Sequence, residues 1–321
     1  MDEFELIRRF FVRQDAGAGV SIGIGDDGAV ISPAAGRSLV VVVDSLVAGV
    51  HYPLNFPAEH VGYRALAVNL SDVAAMAGTP KWMTLALTLP EAREEWLSAF
   101  AAGLFEAARE YDVSLIGGDT TRGEQTVVSV QLIGEVDAGA ILTRGGAEAG
   151  DGIYVSGTVG DAAGGLSLLQ NERSKRTRSG DDVAYLTARF TRPSARVELG
   201  LAIGGIATAA IDVSDGLAAD LAKLLCSSGV AGTIEIELLP LSSQLRRAFD
   251  AEQALRFVLD GGDDYELCFT AKAAERSRID DLAARLGLPL TRIGEVSAGA
   301  GLTCVQDGRR SSWEGRGYRH F

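Results

Sequence analysis

Aspartates recur along this chain beside glycines and hydroxyl residues. Asp26-Asp27 follows Gly23-Ile24-Gly25, Asp44 precedes Ser45, and Asp72 stands three residues after Asn69. Asp119 lies between Gly117-Gly118 and Thr120-Thr121, Asp212 and Asp215 flank Val213-Ser214, and Asp263-Asp264 follows Gly261-Gly262. Carboxylates, hydroxyls and main-chain oxygens are the donors that a hard cation such as Mg²⁺ prefers, and glycine lets the backbone approach a bound group. Taken singly, each stretch is equally a turn, because Gly and Asp are ordinary turn residues. Repetition is what points to a site. Gathered acids repel by roughly 1 to 4 kcal/mol per pair at about 4 Å unless cations sit among them. Several Mg²⁺ ions would convert such a site into one that accepts polyphosphates.

Other chemistries have less to build on. Gly23-Ile24-Gly25-Asp26-Asp27-Gly28 formally matches the dinucleotide pattern G-x-G-x-x-G, but carboxylates fill the loop and Val30-Ile31-Ser32-Pro33 continues as strand and turn, not as a phosphate-binding helix. No G-x-x-x-x-G-K-[ST] loop is present, and none of Lys81, Lys175, Lys223 and Lys272 follows a glycine. With histidine only at 51, 60 and 320, a histidine-based hydrolase or zinc site is poorly supplied.

The 321 residues suffice for about two domains, and 47% hydrophobic with 23% charged residues is ordinary globular composition. A net charge of −13 argues against nucleic acid and against anionic membrane surfaces. Cys226, Cys268 and Cys304 lack metal or disulfide spacing, which fits a reducing cytoplasm. The acidic start Met1-Asp2-Glu3-Phe4-Glu5 has no signal core, and the longest uncharged stretch, Leu199 to Ile211, is too short to span a bilayer. The expectation is a soluble, unprocessed chain.

The elements that must position the acids follow from periodicity. Helices are expected over Phe4 to Val12, Glu59 to Met76, Glu94 to Tyr111, after Asp215 with Leu217, Leu221, Leu224 and Leu225 inward, and over Ala273 to Leu286. Shorter helical segments are expected after Pro193 and around Leu245 and Leu255. Strands are expected at Leu39 to Val43, Met83 to Leu89, Val113 to Ile116, Val127 to Val136, Ile153 to Ser156, Ala207 to Ile211, Thr233 to Leu238 and Leu267 to Thr270, with two more near Arg292 and Leu302. On this reading Asp27, Asp44, Asp119 and Asp212 stand at strand ends. Asp215 also has the type and place of a helix N-cap. Gln170 to Asp182, with Arg173, Lys175, Arg176 and Arg178, reads as an exposed loop. The aromatic tail from Trp313 to Phe321 reads as a core plug or as a stacking surface. The fold class is α/β, an α+β domain over 1-146 followed by an α/β domain over 147-321, divided at the Gly-rich stretch Leu142 to Gly146.

The runs Gly23-Ile24-Gly25-Asp26-Asp27, Asp44 with His51, Asn69-Leu70-Ser71-Asp72-Val73-Ala74-Ala75-Met76, Gly117-Gly118-Asp119-Thr120-Thr121, Asp212-Val213-Ser214-Asp215-Gly216 and Gly261-Gly262-Asp263-Asp264-Tyr265-Glu266-Leu267 resemble, in order and spacing, the thiamine-monophosphate kinase family. That resemblance spans nearly the whole chain, the aromatic tail included. It implies the two-domain fold of the aminoimidazole ribonucleotide synthetase-like superfamily, with an N-terminal ATP/Mg-binding and dimerisation domain and a C-terminal domain completing the site. It implies phosphorylation of thiamine monophosphate by ATP, with several Mg²⁺ ions, in a homodimer joined through the N-terminal sheets. Carried over by position, Asp27, Asp44, Asp72, Asp119, Asp212 and Asp215 would bind Mg²⁺, assisted by the main chain at Val42 and Val43. Tyr111, Gly118, Asp119, Arg144 and Ser214 would contact ATP, and His51, Asp263 and Tyr318 the thiamine phosphate.

The chain departs from the family pattern twice. Val42-Val43 stands where the family often has Ser-Thr, so only carbonyl oxygens could act there, and Asp263 stands where Glu is usual. The implied nucleophile, a phosphate oxygen, is largely ionised near neutral pH because its second pKa is about 6, so no residue is needed as general base. Alignment and charge neutralisation then carry the reaction, expected as direct in-line transfer. Two other readings stay open. A selenophosphate synthetase or cyclo-ligase would share the site, although the first usually needs a reactive N-terminal Cys and the first here is Cys226. A binding-only protein would hold cations without consuming ATP.

Overall fold

The β-branched run at 39–43 extends further than its composition predicts, because polar residues are tolerated on a sheet edge. In the computed structural model, which describes residues 3–12, 17–171, 177–313 and 317–318, it belongs to β3 (Arg37–Val47). Asp44 therefore sits inside an edge strand and does not terminate it. The chain divides into two units, Met1–Val73 with Gly78–Ala138, and Ala74–Ala77 with Gly139–Phe321.

The first unit opens with α1 (Glu3–Leu6), a further helical turn at Ile7–Phe11, and a small antiparallel pair, β1 (Val20–Ile22) and β2 (Val30–Ile31). Gly19-Val20-Ser21-Ile22-Gly23 formally spells the nucleophile-elbow pattern G-x-S-x-G. Ser21 nevertheless lies on β1 with no helix following, so it makes no elbow. After β3 come α2 (Ala58–Ala75), β4 (Thr79–Leu89), α3 (Glu94–Glu110), β5 (Ser114–Arg122) and β6 (Val127–Asp137). The sheet order is β3-β6-β4-β5, antiparallel except for β4 with β5, which α3 connects as a crossover. Alternation decides the faces. Val128, Val130, Leu132, Met83, Leu85 and Leu87 are buried on one face. Val73 of α2 packs over Gly134 of β6 there, and Tyr63 of α2 donates a hydrogen bond to Glu110 of α3. The other face leaves Leu39, Val41 and Val43 exposed.

The second unit contains, in order, β7 (Gly152–Ser156), α4 (Asp161–Gln170), α5 (Gly180–Thr191), α6 (Val197–Ile203), β8 (Ala207–Asp212), α7 (Leu217–Ser228) and β9 (Ala231–Glu235). It continues through α8 (Ser243–Ala248), α9 (Ala251–Asp260), β10 (Leu267–Ala271), α10 (Arg276–Leu286), β11 (Leu290–Ser297), β12 (Gly301–Gln306) and β13 (Arg309–Ser312). Among the described residues the sheet order is β13-β12-β9-β11-β7-β10-β8, with only β12 and β9 parallel. Every residue of the central strands β7 and β10 is buried, as in a sheet covered on both faces. Ile153, Val155 and Ile211 join Leu168, Leu186, Leu221, Leu225 and Val258 in one core beneath α4, α5, α7 and α9. On the opposite face Tyr154 stacks on Phe269, with buried Ile279 and Leu282 of α10.

Several local expectations need correction. Asp119 lies within β5, which runs six residues past Ile116 to Arg122. The strand expected over 233–238 is β9, followed by a tight turn at Ile236–Leu238. The segment 170–182 is not simply a loop, since α4 reaches Gln170 and α5 begins at Gly180. Arg173, Lys175 and Arg176 lie outside the described residues. Arg178 is docked, its Nε donating to the Ala248 carbonyl at 2.6 Å and its guanidinium lying over the Phe249 ring. No helix among the described residues is long and apolar enough to cross a membrane.

Candidate active site

Two of the acidic motifs fold against one another in the second unit. The chain leaves β8 at Asp212, which is 3% exposed, and turns through 213–216 into α7. Beside it runs 261–266, entering β10. The Asp263 amide donates to the Ser214 carbonyl, the Tyr265 amide to the Val213 carbonyl, and the Val213 amide to the Glu266 carbonyl, all at 2.8–2.9 Å. The approach is close enough to require glycine. A Cβ on Gly262 would lie 2.1 Å from the Ser214 carbonyl oxygen. From the tail, the Tyr318 amide reaches the Asp215 carbonyl at 3.2 Å, and the Tyr318 ring is half-exposed. Asp212, Ser214, Asp215, Asp263 and Tyr318 are thus brought together.

Asp215 does not cap α7. The N-cap is Gly216, with no side-chain cap, and Asp220, buried one turn into the helix, instead braces the preceding turn, its Oδ2 accepting from the Ser214 and Asp215 amides at 2.9 Å. Lys223 bridges Asp220 Oδ1 at 2.8 Å and Asp215 Oδ2 at 2.5 Å. Burial pushes the Asp220 carboxyl up despite that lysine. Burial also works against the Lys223 charge, but hydrogen bonds to the two aspartates hold its pKa above the usual lysine value. Neither Asp220 nor Lys223 was marked by any motif. Their i, i+3 spacing on the first turns after Gly216 was the available signal.

Beneath the 261–266 loop lies a buried polar network. Glu266 is fully buried and accepts from Ser156 Oγ at 2.5 Å, from Arg189 at 2.8 Å and from two nitrogens of Arg196 at 2.5 and 2.7 Å. Asp264, also fully buried, accepts from the Gly160 and Ala162 amides at the start of α4, at 2.6 and 3.1 Å. Burial pushes its carboxyl up to about 8, against the pull of Arg189 and of those amides. Asp161 accepts from Ser242, Thr158 and Tyr185. Above this network the backbone takes φ 69° at Asp263 and 52° at Tyr265. Left-handed conformations cost non-glycine residues about 1–3 kcal/mol each and cluster at functional sites.

Arg144 is held elsewhere in the same unit. Its carbonyl accepts from Ser228 Oγ at 3.0 Å, at the far end of α7 from Ser214. Eleven helical steps separate Leu217 from Ser228, roughly 17 Å at 1.5 Å per residue, so the two residues do not converge on one small group. Trp313 packs against the core and donates from its indole to Asp260, so this residue of the tail serves as a plug and not as a ligand surface.

In the first unit the expected site residues are spread. Asp44, Val130, Leu85 and Gly118 form one row across the sheet, from one edge to the other. Three strand spacings amount to about 14 Å. Asp119 belongs to the next row, with Ser45, Ser129 and Ala86, and so faces the opposite side. Within one unit Asp44 and Asp119 cannot share an ion. Gly118 lies so close to β4 that a Cβ would meet the Leu85 carbonyl oxygen at 1.9 Å. Val42 and Val43 are consecutive on an antiparallel edge strand, whose residues turn their main-chain groups alternately inward and outward. Only one of the two can offer its carbonyl to the open edge. Asp27 lies in the turn before β2, its amide held by Asp26 Oδ1 at 2.9 Å, and Tyr111 closes α3. His51 Nδ1 accepts from the Val47 amide at 3.0 Å, which leaves Nε2 as the ring nitrogen that can donate.

Among the described residues no three His, Cys, Asp or Glu side chains converge as a preformed metal cage. The donor chemistry nonetheless suits Mg²⁺. One turn before Asp72 on α2, the fully buried Asn69 gives its Nδ2 to the Ala65 carbonyl and leaves its Oδ1 acceptor without a hydrogen-bond partner. Such an orphaned oxygen suits a cation or its water. Asp215 is the exception in the set, because Lys223 already neutralises it.

The chain is similar to known proteins along nearly its whole length. The family described as AIR synthase related protein, N-terminal domain, matches residues 25–136, and the corresponding C-terminal domain matches 148–307. Thiamine-monophosphate kinase of Salmonella typhimurium is 45% identical over 99% of this chain and 98% of its own. The crystal structure of thiamine-monophosphate kinase from Stenotrophomonas maltophilia K279a superposes with a TM-score of 0.87 at 46% identity, covering 97% of this chain and 98% of that one. A structure of AaThiL complexed with AMPPCP and TMP gives 0.78 at 35% identity, covering 93% and 92%. With a relative this similar along essentially its whole length, the chain belongs to the thiamine-monophosphate kinase family.

Proposed function

We propose that this chain transfers the terminal phosphate of ATP to thiamine monophosphate, giving thiamine diphosphate and ADP. The observation that carries the reading is the pairing of the 212–216 and 261–266 loops, which gathers Asp212, Ser214, Asp215, Asp263 and Tyr318. Its relative AaThiL, complexed with AMPPCP and TMP, supports both substrates.

Ser214 and Arg144, at opposite ends of α7, would engage separate parts of the nucleotide, and Gly118, Asp119 and Tyr111 would also contact ATP. Asp263 and Tyr318 would receive thiamine monophosphate, the ring of Tyr318 offering its face to the thiazolium cation for about 0.5–2 kcal/mol. His51, its Nδ1 occupied by the Val47 amide, would donate from Nε2 to the substrate phosphate. Asp27, Asp44, Asp72, Asp119, Asp212 and, once freed from Lys223, Asp215 would hold Mg²⁺ ions, with one carbonyl of Val42 or Val43 assisting. Bound there, the ions would neutralise polyphosphate charge and align it. The acceptor is already ionised, so no side chain serves as general base, and the transfer is in-line without a phosphoenzyme.

The exposed apolar residues Leu39, Val41 and Val43 on the first unit's sheet support a homodimer, and the free thiols with ATP as co-substrate support a cytoplasmic setting. The test is ADP release from Mg-ATP with thiamine monophosphate, against unphosphorylated thiamine as control. ADP and thiamine diphosphate formed only with the monophosphate are expected. Absence of stimulation overturns the assignment.

A further inference from the structure

Asp263 is partly exposed and stands just ahead of a stretch, 264–266, that is buried throughout. Asp264 and Glu266 are fully buried, and the residue ahead of each, Asp263 and Tyr265, is a left-handed, non-glycine residue. A loop in that conformation relaxes unless its surroundings prevent it, and relaxation rotates Asp263. Main-chain bonds from Asp263 and Tyr265 to Ser214 and Val213 pin one side. The other side is pinned by side chains. Asp264 is seated on the α4 amides, while Glu266 is filled by Ser156, Arg189 and the paired nitrogens of Arg196. Paired guanidinium bonds of this kind fix orientation as well as position. Tyr265 closes the arrangement by donating from its hydroxyl to Asp263 Oδ1 at 3.1 Å.

We propose that the grip of Arg196 and Arg189 on Glu266 is a positioning device, which holds the 262–265 loop in its strained form and so aims the Asp263 carboxylate at the thiamine phosphate. The proposal rests on the functional reading above. Arg196 touches neither substrate in it, and acts through Glu266 and the loop. Its side chain is 21% exposed, so replacing it still leaves Glu266 paired with Arg189 and Ser156.

The experiment compares wild type, Arg196→Met, Arg196→Lys, Asp263→Ala and the double variant Asp263→Ala with Arg196→Met, each as the full chain. Hydrogen exchange is read first, because it needs no turnover. The amides of Asp263 and Tyr265 are expected to exchange about tenfold faster in Arg196→Met while those of β7 and β10 keep their protection. In turnover, KM for thiamine monophosphate is expected to rise about tenfold, the loss of one charge-assisted hydrogen bond, with KM for ATP and kcat within about twofold. Arg196→Lys is expected to recover part of that loss, and the double variant to be no worse than Asp263→Ala alone. Unchanged exchange at Asp263 and Tyr265 overturns the proposal, as does a parallel rise in both KM values or additivity in the double variant. A wild type that makes no thiamine diphosphate refutes the functional reading instead, and leaves the exchange result to judge the loop.

Discussion

Asp215 and Asp220 illustrate how two identical side chains on either side of a helix start take opposite duties. Asp215 was legible as a helix cap, yet Asp220 supplies the acceptor for the amides of Ser214 and Asp215, and Lys223 ties the pair together. Removing a buried acceptor strands its donors at a cost of about 1–3 kcal/mol. Asp220→Ala is accordingly expected to lower the unfolding free energy in urea by that amount and to depress kcat, since the 213–216 turn loses its support. Asp220→Asn, which keeps one acceptor oxygen, should fall between. A variant as stable and active as wild type would show that these bonds contribute nothing. Asp119→Asn and Asp72→Asn test a different role. Asp119 is exposed on its strand, so its loss removes charge and not packing. Both are expected to abolish turnover while circular dichroism melts stay near wild type, and near-normal activity in either would remove that residue from the metal set.

At the scale of elements, strands and helices were legible wherever an apolar period was long, as in α3 and β6, and their ends were not. Asp44 and Asp119 were read as strand terminators, whereas edge strands β3 and β5 carry carboxylates along their length because one side of each is open. Nothing local predicts that Glu266 meets Arg196, since those partners lie 70 residues apart and only the fold introduces them. The pairing of the two acidic loops was equally hidden, although both were recognised as motifs. It makes Gly262 sensitive, because a Cβ there would meet the Ser214 carbonyl at 2.1 Å and force the loops apart. Gly262→Ala is expected to cost about 1–3 kcal/mol, as overpacking does, and to raise KM for both substrates. The same loop sets a pH dependence. Burial raises Asp264 from an ordinary 3.8 to about 8, so between those values the folded chain keeps a proton that the unfolded chain has lost. Stability is then greatest below about pH 4 as far as this group is concerned, and declines as pH rises towards 8. Thermal melts across that range should show a shallower decline in Asp264→Asn than in wild type. Equal slopes would mean that Asp264 titrates normally.

For the whole molecule, the open face of the first unit's sheet is the feature that a monomer leaves unexplained. Leu39, Val41 and Val43 alternate along edge strand β3 at 42%, 55% and 62% exposure, on the side away from α2. Three valine- or leucine-sized side chains in a row on an unpaired edge invite association, and monomeric proteins blunt such edges with charge. The flanking residues offer little blunting. Arg37 lies at the far end of the strand in an ion pair with Asp137, and Ser45 is hydrogen-bonded to Ser129. A second copy of the chain covers this face in the proposed homodimer. Burying a valine is worth about 1.5–3 kcal/mol, so a charge placed at Val43 should forfeit that gain twice in a symmetric pair and add the cost of desolvating two carboxylates. Val43→Asp is therefore expected to shift the proposed dimer to monomer in sedimentation equilibrium, while circular dichroism retains the fold. Because Val43 precedes Asp44, turnover in the variant needs a control. Val41→Asp, three residues from Asp44, should dissociate the chain to the same extent. Wild type sedimenting as a single 33.6 kDa chain at micromolar concentration would sink the dimer, and dissociation by Val43→Asp alone would place the contact at the Asp44 end of the strand.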